Sequence, residues 1–223
     1  MIWLGIALGL AVVDWLALYF GWLRLHWVAK PATLLALIVA TYTLSHWQGA
    51  MLWFGLGLLF SLIGDIVLLW PKRFFGGLAA FLFAHGLYVI GFDPLVALRL
   101  RPELGLILLV VLPPGLMVGR VLLPALWASP SNRKWIVPVS VYSLVISLML
   151  TSALLSLARA DWQREAAWLV SIGAVLFYTS DSLLAYDCFV RRLVHGQFWV
   201  MVTYHLGQAG IVLGALLQYG WLK

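Results

Sequence analysis

Apolar residues run through this chain in long blocks, not at the intervals of an amphipathic helix or a half-buried strand. An α-helix needs about 20 apolar residues to cross the core of a bilayer. Eight blocks approach that length, at residues 2–23, 32–46, 50–70, 74–92, 104–123, 135–157, 166–186 and 198–219. The second is short and opens at Pro31, which suits a first helical turn. The fifth contains Pro113-Pro114-Gly115, a kink that neighbouring helices can accommodate. Short connections predict antiparallel neighbours. Blocks three and seven are broken internally by a carboxylate, Asp65 and Asp181. An ionised carboxylate at the centre of a membrane helix costs roughly 2.5–3.5 kcal/mol on insertion, and such residues are usually functional.

Composition turns these blocks into a fold class. The chain is 64% hydrophobic and 10% charged, with mean hydropathy +1.02. Lipid is therefore the solvent for most of it. The expectation is an all-α polytopic membrane protein: one integral domain over residues 1–223, built as an eight-helix transmembrane bundle. The first block lacks a basic leader and is interrupted by Asp14, so it reads as a span and not as a cleaved signal. The single cysteine, Cys188, leaves no intrachain disulfide or thiolate cluster.

The net charge of +6 is scattered over loops and does not point to nucleic acid. Loops after odd-numbered blocks carry Arg24, Lys30, Lys72, Arg73, Arg133, Lys134, Arg191 and Arg192, with Arg120 at an edge. The opposite loops and the C-terminus carry Arg99, Arg101, Arg159, Arg164 and Lys223, offset by Glu103, Asp161 and Glu165. The positive-inside rule then predicts both termini outside the cytoplasm; the membrane expected is a bacterial inner membrane.

Helix direction brings the polar residues to one layer. Blocks three and seven run the same way, and at 1.5 Å per residue each aspartate lies roughly 8–9 Å inside the odd-loop end. Tyr142, Tyr204 and His205 lie about as far in from that side, and Lys30 stands at the mouth of block two. His85 and Asp14 lie somewhat deeper. Ser61 and Asp65 share a helix face, as do Phe177 and Asp181, and Tyr204 and Gln208; His85 and Tyr88 are three apart. Gly64 and Ser180, just before the aspartates, are small enough for close helix packing. A faint repeat relates Gly57…Asp65…Leu68 to Gly173…Asp181…Leu184, each followed by a helix with a His and a Tyr. A four-plus-four duplication would give this pattern.

Each element also has a plain structural reading. Both aspartates could simply be held by serine, tyrosine or lysine, and His85 could be an interhelical donor. Mid-span tyrosines need a hydrogen-bond partner in any case. Lys30 could be a positive-inside anchor, and Asp14 a structural residue. His26, His46 and His195 fall at or near loops and carry little signal. A metal held by His85, His205 and the aspartates lacks any supporting His-x-x-x-His spacing, so neither metal nor cofactor is expected.

These residues resemble the lysoplasmalogenase family of YhhN-like membrane proteins. The matching segments are Lys30-Pro31, Phe60 to Leu69 around Gly64-Asp65, Phe81-x-x-x-His85-x-x-Tyr88, Tyr142 with Met149, Gly173 to Leu184 around Ser180-Asp181, and Tyr204-x-x-x-Gln208. His205 and the region from Pro94 to Ser131 lie outside that pattern. The resemblance implies hydrolysis of the vinyl ether bond of a lysoplasmalogen, releasing a fatty aldehyde and a glycerophospho headgroup. The substrate would be a lysophospholipid or related ether lipid drawn from the membrane.

That chemistry suits two carboxyls. An enol ether is protonated at the carbon beta to oxygen, and water traps the resulting oxocarbenium ion. Two carboxyls in a low-dielectric layer do not both ionise easily, so one would keep a proton to donate. The other would stabilise the cation and position or deprotonate water. The sequence does not decide which is which; Asp181 as acid and Asp65 as base is the preferred order. Ser61, His85, Tyr88, Tyr142, Ser180, Tyr204 and Gln208 would orient the carboxyls and water, and Lys30 would meet the lipid phosphate. Paired intramembrane acids in duplicated halves also suit a small proton-coupled transporter, and a lipid-binding sensor is a third reading. The acidic layer lies off the midplane and no matched Gly/Pro breaks occur, which favours the hydrolase.

Overall fold

A computed structural model describes residues 1–93 and 118–222. Among these residues, eight α-helices follow in order: α1 (Ile2–Tyr19), α2 (Leu23–Ser45), α3 (Met51–Leu68), α4 (Phe74–Phe92), α5 (Leu123–Ala128), α6 (Ile136–Leu155), α7 (Arg164–Phe189) and α8 (Gly196–Gln218). All but the short α5 belong to segments long and apolar enough to cross a membrane. The protein is an all-helical polytopic membrane bundle. The expected span at 104–123, with its Pro113-Pro114-Gly115 kink, lies mostly outside the described residues; its end is the π-helical turn Val118–Leu122, which leads into α5.

The tightest pairings are α7 with α8, α3 with α4, and α1 with α2. Glycine makes the first of these possible. A Cβ on Gly173 would lie 2.5 Å from the Ile211 backbone nitrogen, and one on Gly207 would lie 2.7 Å from that of Phe177. Backbone therefore rests on backbone, as small residues allow in membrane helices. The wider contacts fall into matching sets: α2 with α3 and α6 with α7, then α4 with α6 and α8 with α2. The shared interior is filled by Phe54, Leu58, Met149, Ala174, Phe177 and Ile211, all fully buried.

Helix α1 is peripheral. Only Ala7, Ala11, Asp14 and Ala17 are buried on it, at three- and four-residue spacing, while Leu8, Val12, Val13 and Leu16 are exposed. One stripe faces the bundle and the remainder suits lipid.

One boundary differs in a way that matters. Helix α2 begins at Leu23, not at Pro31, because the connection from α1 is only Phe20-Gly21-Trp22, with Gly21 at φ +75°. Pro31 sits inside the helix. A proline there removes one backbone hydrogen bond, which membrane helices tolerate when neighbours compensate. Lys30 is consequently a buried helical residue and not part of a loop, and His26 lies on α2 as well. Helix α7 runs on to Phe189, three residues past the expected 186.

The end of the bundle opposite the odd loops is tied by Arg159. Its Nη1 donates to the carbonyls of Phe92 (2.8 Å) and Asp93 (2.7 Å), capping α4, while Nε and Nη2 hold Asp161 at 3.0 and 2.6 Å. These bonds hold the Asp161 carboxyl below its ordinary value and push the Arg159 guanidinium up. Gln218 of α8 closes the same end by donating to the Asp161 carbonyl at 2.8 Å.

Candidate functional site

Asp65 has no exposed surface. Tyr204 of α8 donates to its Oδ2 at 2.9 Å, and the Lys30 ammonium of α2 lies 3.2 Å from Oδ1. The lysine is off the line of a good hydrogen bond, so Oδ1 is held by charge and not by a directed bond. One turn earlier on α3, Ser61 accepts from Gln208 Nε2 at 2.9 Å, and Gln208 Oε1 accepts from Tyr88 at 2.7 Å. All three residues are fully buried, so this bridge fixes α3, α4 and α8 around Asp65.

Asp181 lies on α7 with different partners. Tyr142 of α6 donates a short hydrogen bond to its Oδ2, and His85 Nε2 of α4 meets the same oxygen at 3.1 Å. Oδ1 makes no hydrogen bond among the described residues, and the side chain keeps 15% of its surface exposed. One oxygen of Asp181 is thus saturated and the other is open. The ring of His85 stands edge-on to Phe177 at 4.7 Å, which fixes its plane.

A cavity of about 550 Å³ joins the two clusters. Asp65, Asp181, Lys30, Tyr204, His26 and Ser180 lie in its wall, and Trp27, Trp135, Arg192 and Gln197 stand around it nearer the odd-loop end. A smaller apolar cleft of about 60 Å³ adjoins it at Asp181 and Phe81, lined by Leu122, Val139, Tyr142, Ile146 and Tyr178. The rings of Phe81, Phe177 and Tyr204 meet edge-on, with centroids 5.3–6.2 Å apart.

The sequence-chosen residues divide cleanly. Lys30, Tyr204 and Asp65 form one group; Tyr142, His85 and Asp181 form the other; Ser61, Tyr88 and Gln208 bridge helices beside Asp65. The Ser180 hydroxyl is engaged elsewhere, donating to the Val200 carbonyl of α8 at 2.9 Å. Among the described residues, no three His, Cys, Asp or Glu side chains gather to hold a metal ion.

A third polar group was passed over by sequence reasoning. Asp14 of α1, fully buried, meets His26 Nδ1 at 2.7 Å. Next to it, Trp15 donates to His205 Nδ1 at 3.1 Å. The signal was present in Asp14, whose position in an apolar helix demands a partner; the twelve-residue separation from His26, across a turn, hid that partner.

Comparison with known proteins gives a consistent picture. The YhhN family model matches residues 25–215. The chain is 37% identical over 158 residues to human lysoplasmalogenase TMEM86B, covering 70% of this chain and 60% of the relative. It is 30% identical over 171 residues to the lysoplasmalogenase of Mycobacterium bovis, covering 74% and 62%. It is 29% identical over 219 residues to the Escherichia coli uncharacterized membrane protein YhhN, covering 95% and 98%. The aligned region thus spans less than two thirds of the human and mycobacterial relatives' own lengths. No solved structure gives a significant match.

Proposed function

Since the chain belongs to the YhhN family, we propose that it is a membrane-embedded hydrolase that cleaves the vinyl ether bond of a lysoplasmalogen. The relatives that carry the name lysoplasmalogenase support this reading. The observation that carries it is the open oxygen of Asp181, on a cavity of about 550 Å³ continuous with an apolar cleft. That volume falls in the range of small-molecule sites.

Asp181 and Asp65 take different roles. Proton transfer needs contact, and of the two carboxyls in the cavity wall only Asp181 has exposed side-chain surface. With Oδ2 accepting from Tyr142 and His85, Oδ1 is the place for the acidic proton. That proton passes to the vinyl carbon beta to oxygen, and a cation develops across the adjacent carbon and the ether oxygen. Asp65, buried and charge-paired with Lys30, faces the cavity as a fixed counter-charge. Lys30 keeps Asp65 in place, and the tyrosines orient both carboxyls. The reacting end of the lipid chain meets the apolar cleft beside Asp181, and the headgroup lies toward the odd-loop end. The basic residues Lys72, Arg73, Arg133, Lys134, Arg191 and Arg192 at that end support a cytoplasmic location for it, with both termini outside.

The test is turnover of lysoplasmalogen by purified protein, followed as aldehyde release. Wild type forms aldehyde, and Asp65→Asn and Asp181→Asn each abolish it while remaining folded in detergent. A wild-type protein that converts no vinyl ether lipid, but moves a solute into proteoliposomes through either aspartate, would show a transporter instead.

A further inference from the structure

If Asp65 is buried with both oxygens engaged by Tyr204 and Lys30, it does not reach the attacking water. Hydrolysis still requires a base on the water side. His26 is the one imidazole in the cavity wall. It lies on α2 one turn from Lys30, so both present to the same side of the helix, with His26 nearer the odd-loop end. Its Nδ1 lies 2.7 Å from a buried carboxyl oxygen of Asp14; a carboxylate there accepts, which selects the Nδ1–H tautomer and leaves Nε2 with its lone pair. Nε2 makes no hydrogen bond among the described residues, and the side chain keeps 12% of its surface exposed. A carboxylate behind an imidazole whose outer nitrogen faces a substrate cavity is the arrangement of a general base.

We propose that His26, oriented by Asp14, is a further catalytic residue of this site; the inference rests on the vinyl ether reading above. After Asp181 has protonated the beta carbon, water attacks the oxocarbenium carbon. The carbon–oxygen bond forms as Nε2 takes one water proton, giving a hemiacetal and an imidazolium stabilised by Asp14. The hemiacetal hydroxyl then returns its proton to the Asp181 carboxylate. The bond to the glycerol oxygen breaks, and His26 delivers its proton to that oxygen. One water is consumed, aldehyde and alcohol leave, and both residues are restored. The order along the cavity suits the substrate: Asp181 beside the apolar cleft faces the chain carbon, and His26 faces water and the departing headgroup.

The experiment uses full-length protein in detergent with lysoplasmalogen. His26→Ala lowers kcat by about 10²-fold with KM little changed, and added imidazole restores a large part of the loss. Asp14→Asn, which keeps the shape but not the charge, lowers kcat less. Nitrogen-15 NMR of labelled histidine shows the Nδ1–H form at His26, assigned by its absence in His26→Gln, and that preference weakens in Asp14→Asn. His26→Ala within threefold of wild type overturns the proposal. So does a loss that imidazole fails to restore in protein eluting as wild type, or an Nε2–H form in the wild-type spectrum. A wild type that turns over no vinyl ether removes the functional reading and this one together; full turnover without His26 removes this one alone.

Discussion

Asp65 and Asp181 hold matching places on α3 and α7, and each is gripped by two helices in a crossed pattern. Asp65 takes Lys30 from α2 and Tyr204 from α8; Asp181 takes Tyr142 from α6 and His85 from α4. Each aspartate thus uses the second helix of its own half and the fourth of the other. One scaffold position has acquired two environments. Asp65 is fully buried beside a fixed cation, which suits the counter-charge proposed above, whereas two donors on a single oxygen leave Asp181 with an open atom, which suits the proposed acid. In a paired-carboxylate site, burial of the individual oxygens separates the roles more sharply than sequence symmetry does.

The largest effect expected from this difference is on rate. Asp181→Asn removes the proton donor and should cost about 10³–10⁴-fold in kcat, with little change in thermal stability. Asp65→Asn should also abolish useful turnover, and should in addition lower the melting temperature, because Lys30 is left buried without its partner. Equal melting behaviour in the two variants would erase the distinction.

Stability gives the next largest effect. Breaking a buried ion pair from one side costs about 3–5 kcal/mol. Lys30→Met should therefore destabilise the protein by that order, measured by thermal unfolding in detergent. The double variant Lys30→Met/Asp65→Asn should recover much of the loss while staying inactive. A double variant no more stable than either single one would mean that the pair is not coupled as the geometry indicates.

These contrasts were only partly legible in the sequence. The spans and both aspartates could be read because apolar length and buried charge are local signals. Convergence of Tyr142, His85 and Tyr204 on the carboxyls followed from depth along alternating helices. Lys30 was misplaced because a proline reads as a helix start, while the tight turn at Gly21 lets the helix begin at Leu23 instead of Pro31. His26 was overlooked because its partner lies on the preceding helix, and spacing rules within one helix cannot see across a turn. Which oxygen of each aspartate faces the cavity depends on side-chain packing between four helices, and no linear pattern carries that.

A smaller pair of effects separates the tyrosines. Tyr142→Phe and Tyr204→Phe each delete one hydroxyl from a carboxylate, worth about 1–3 kcal/mol. The first should appear mainly in kcat, by about 10-fold, because the Asp181 oxygen it orients belongs to the acid. The second should appear mainly in melting temperature, because Tyr204 helps satisfy a fully buried group. Swapped results would reverse the assignment of acid and counter-charge.

The smallest effect lies at the opposite end of the bundle, where no carboxylate meets the cavity. The Asp161 carboxyl is held below its ordinary value by Arg159, so the pair contributes stability that is present above the unfolded value of about pH 4 and lost as pH falls through the lower folded value. Asp161 is more than half exposed, so solvent screens the pair to about 0.2–1 kcal/mol. Asp161→Asn should therefore lower the melting temperature slightly at pH 7, and the difference from wild type should shrink as pH falls below about 4. Its kcat should equal that of wild type, since the residue is remote from both clusters. A change in kcat here would mean that the far end of the bundle shapes the cavity, and the rate losses at Asp65 and Asp181 would then no longer report local chemistry alone.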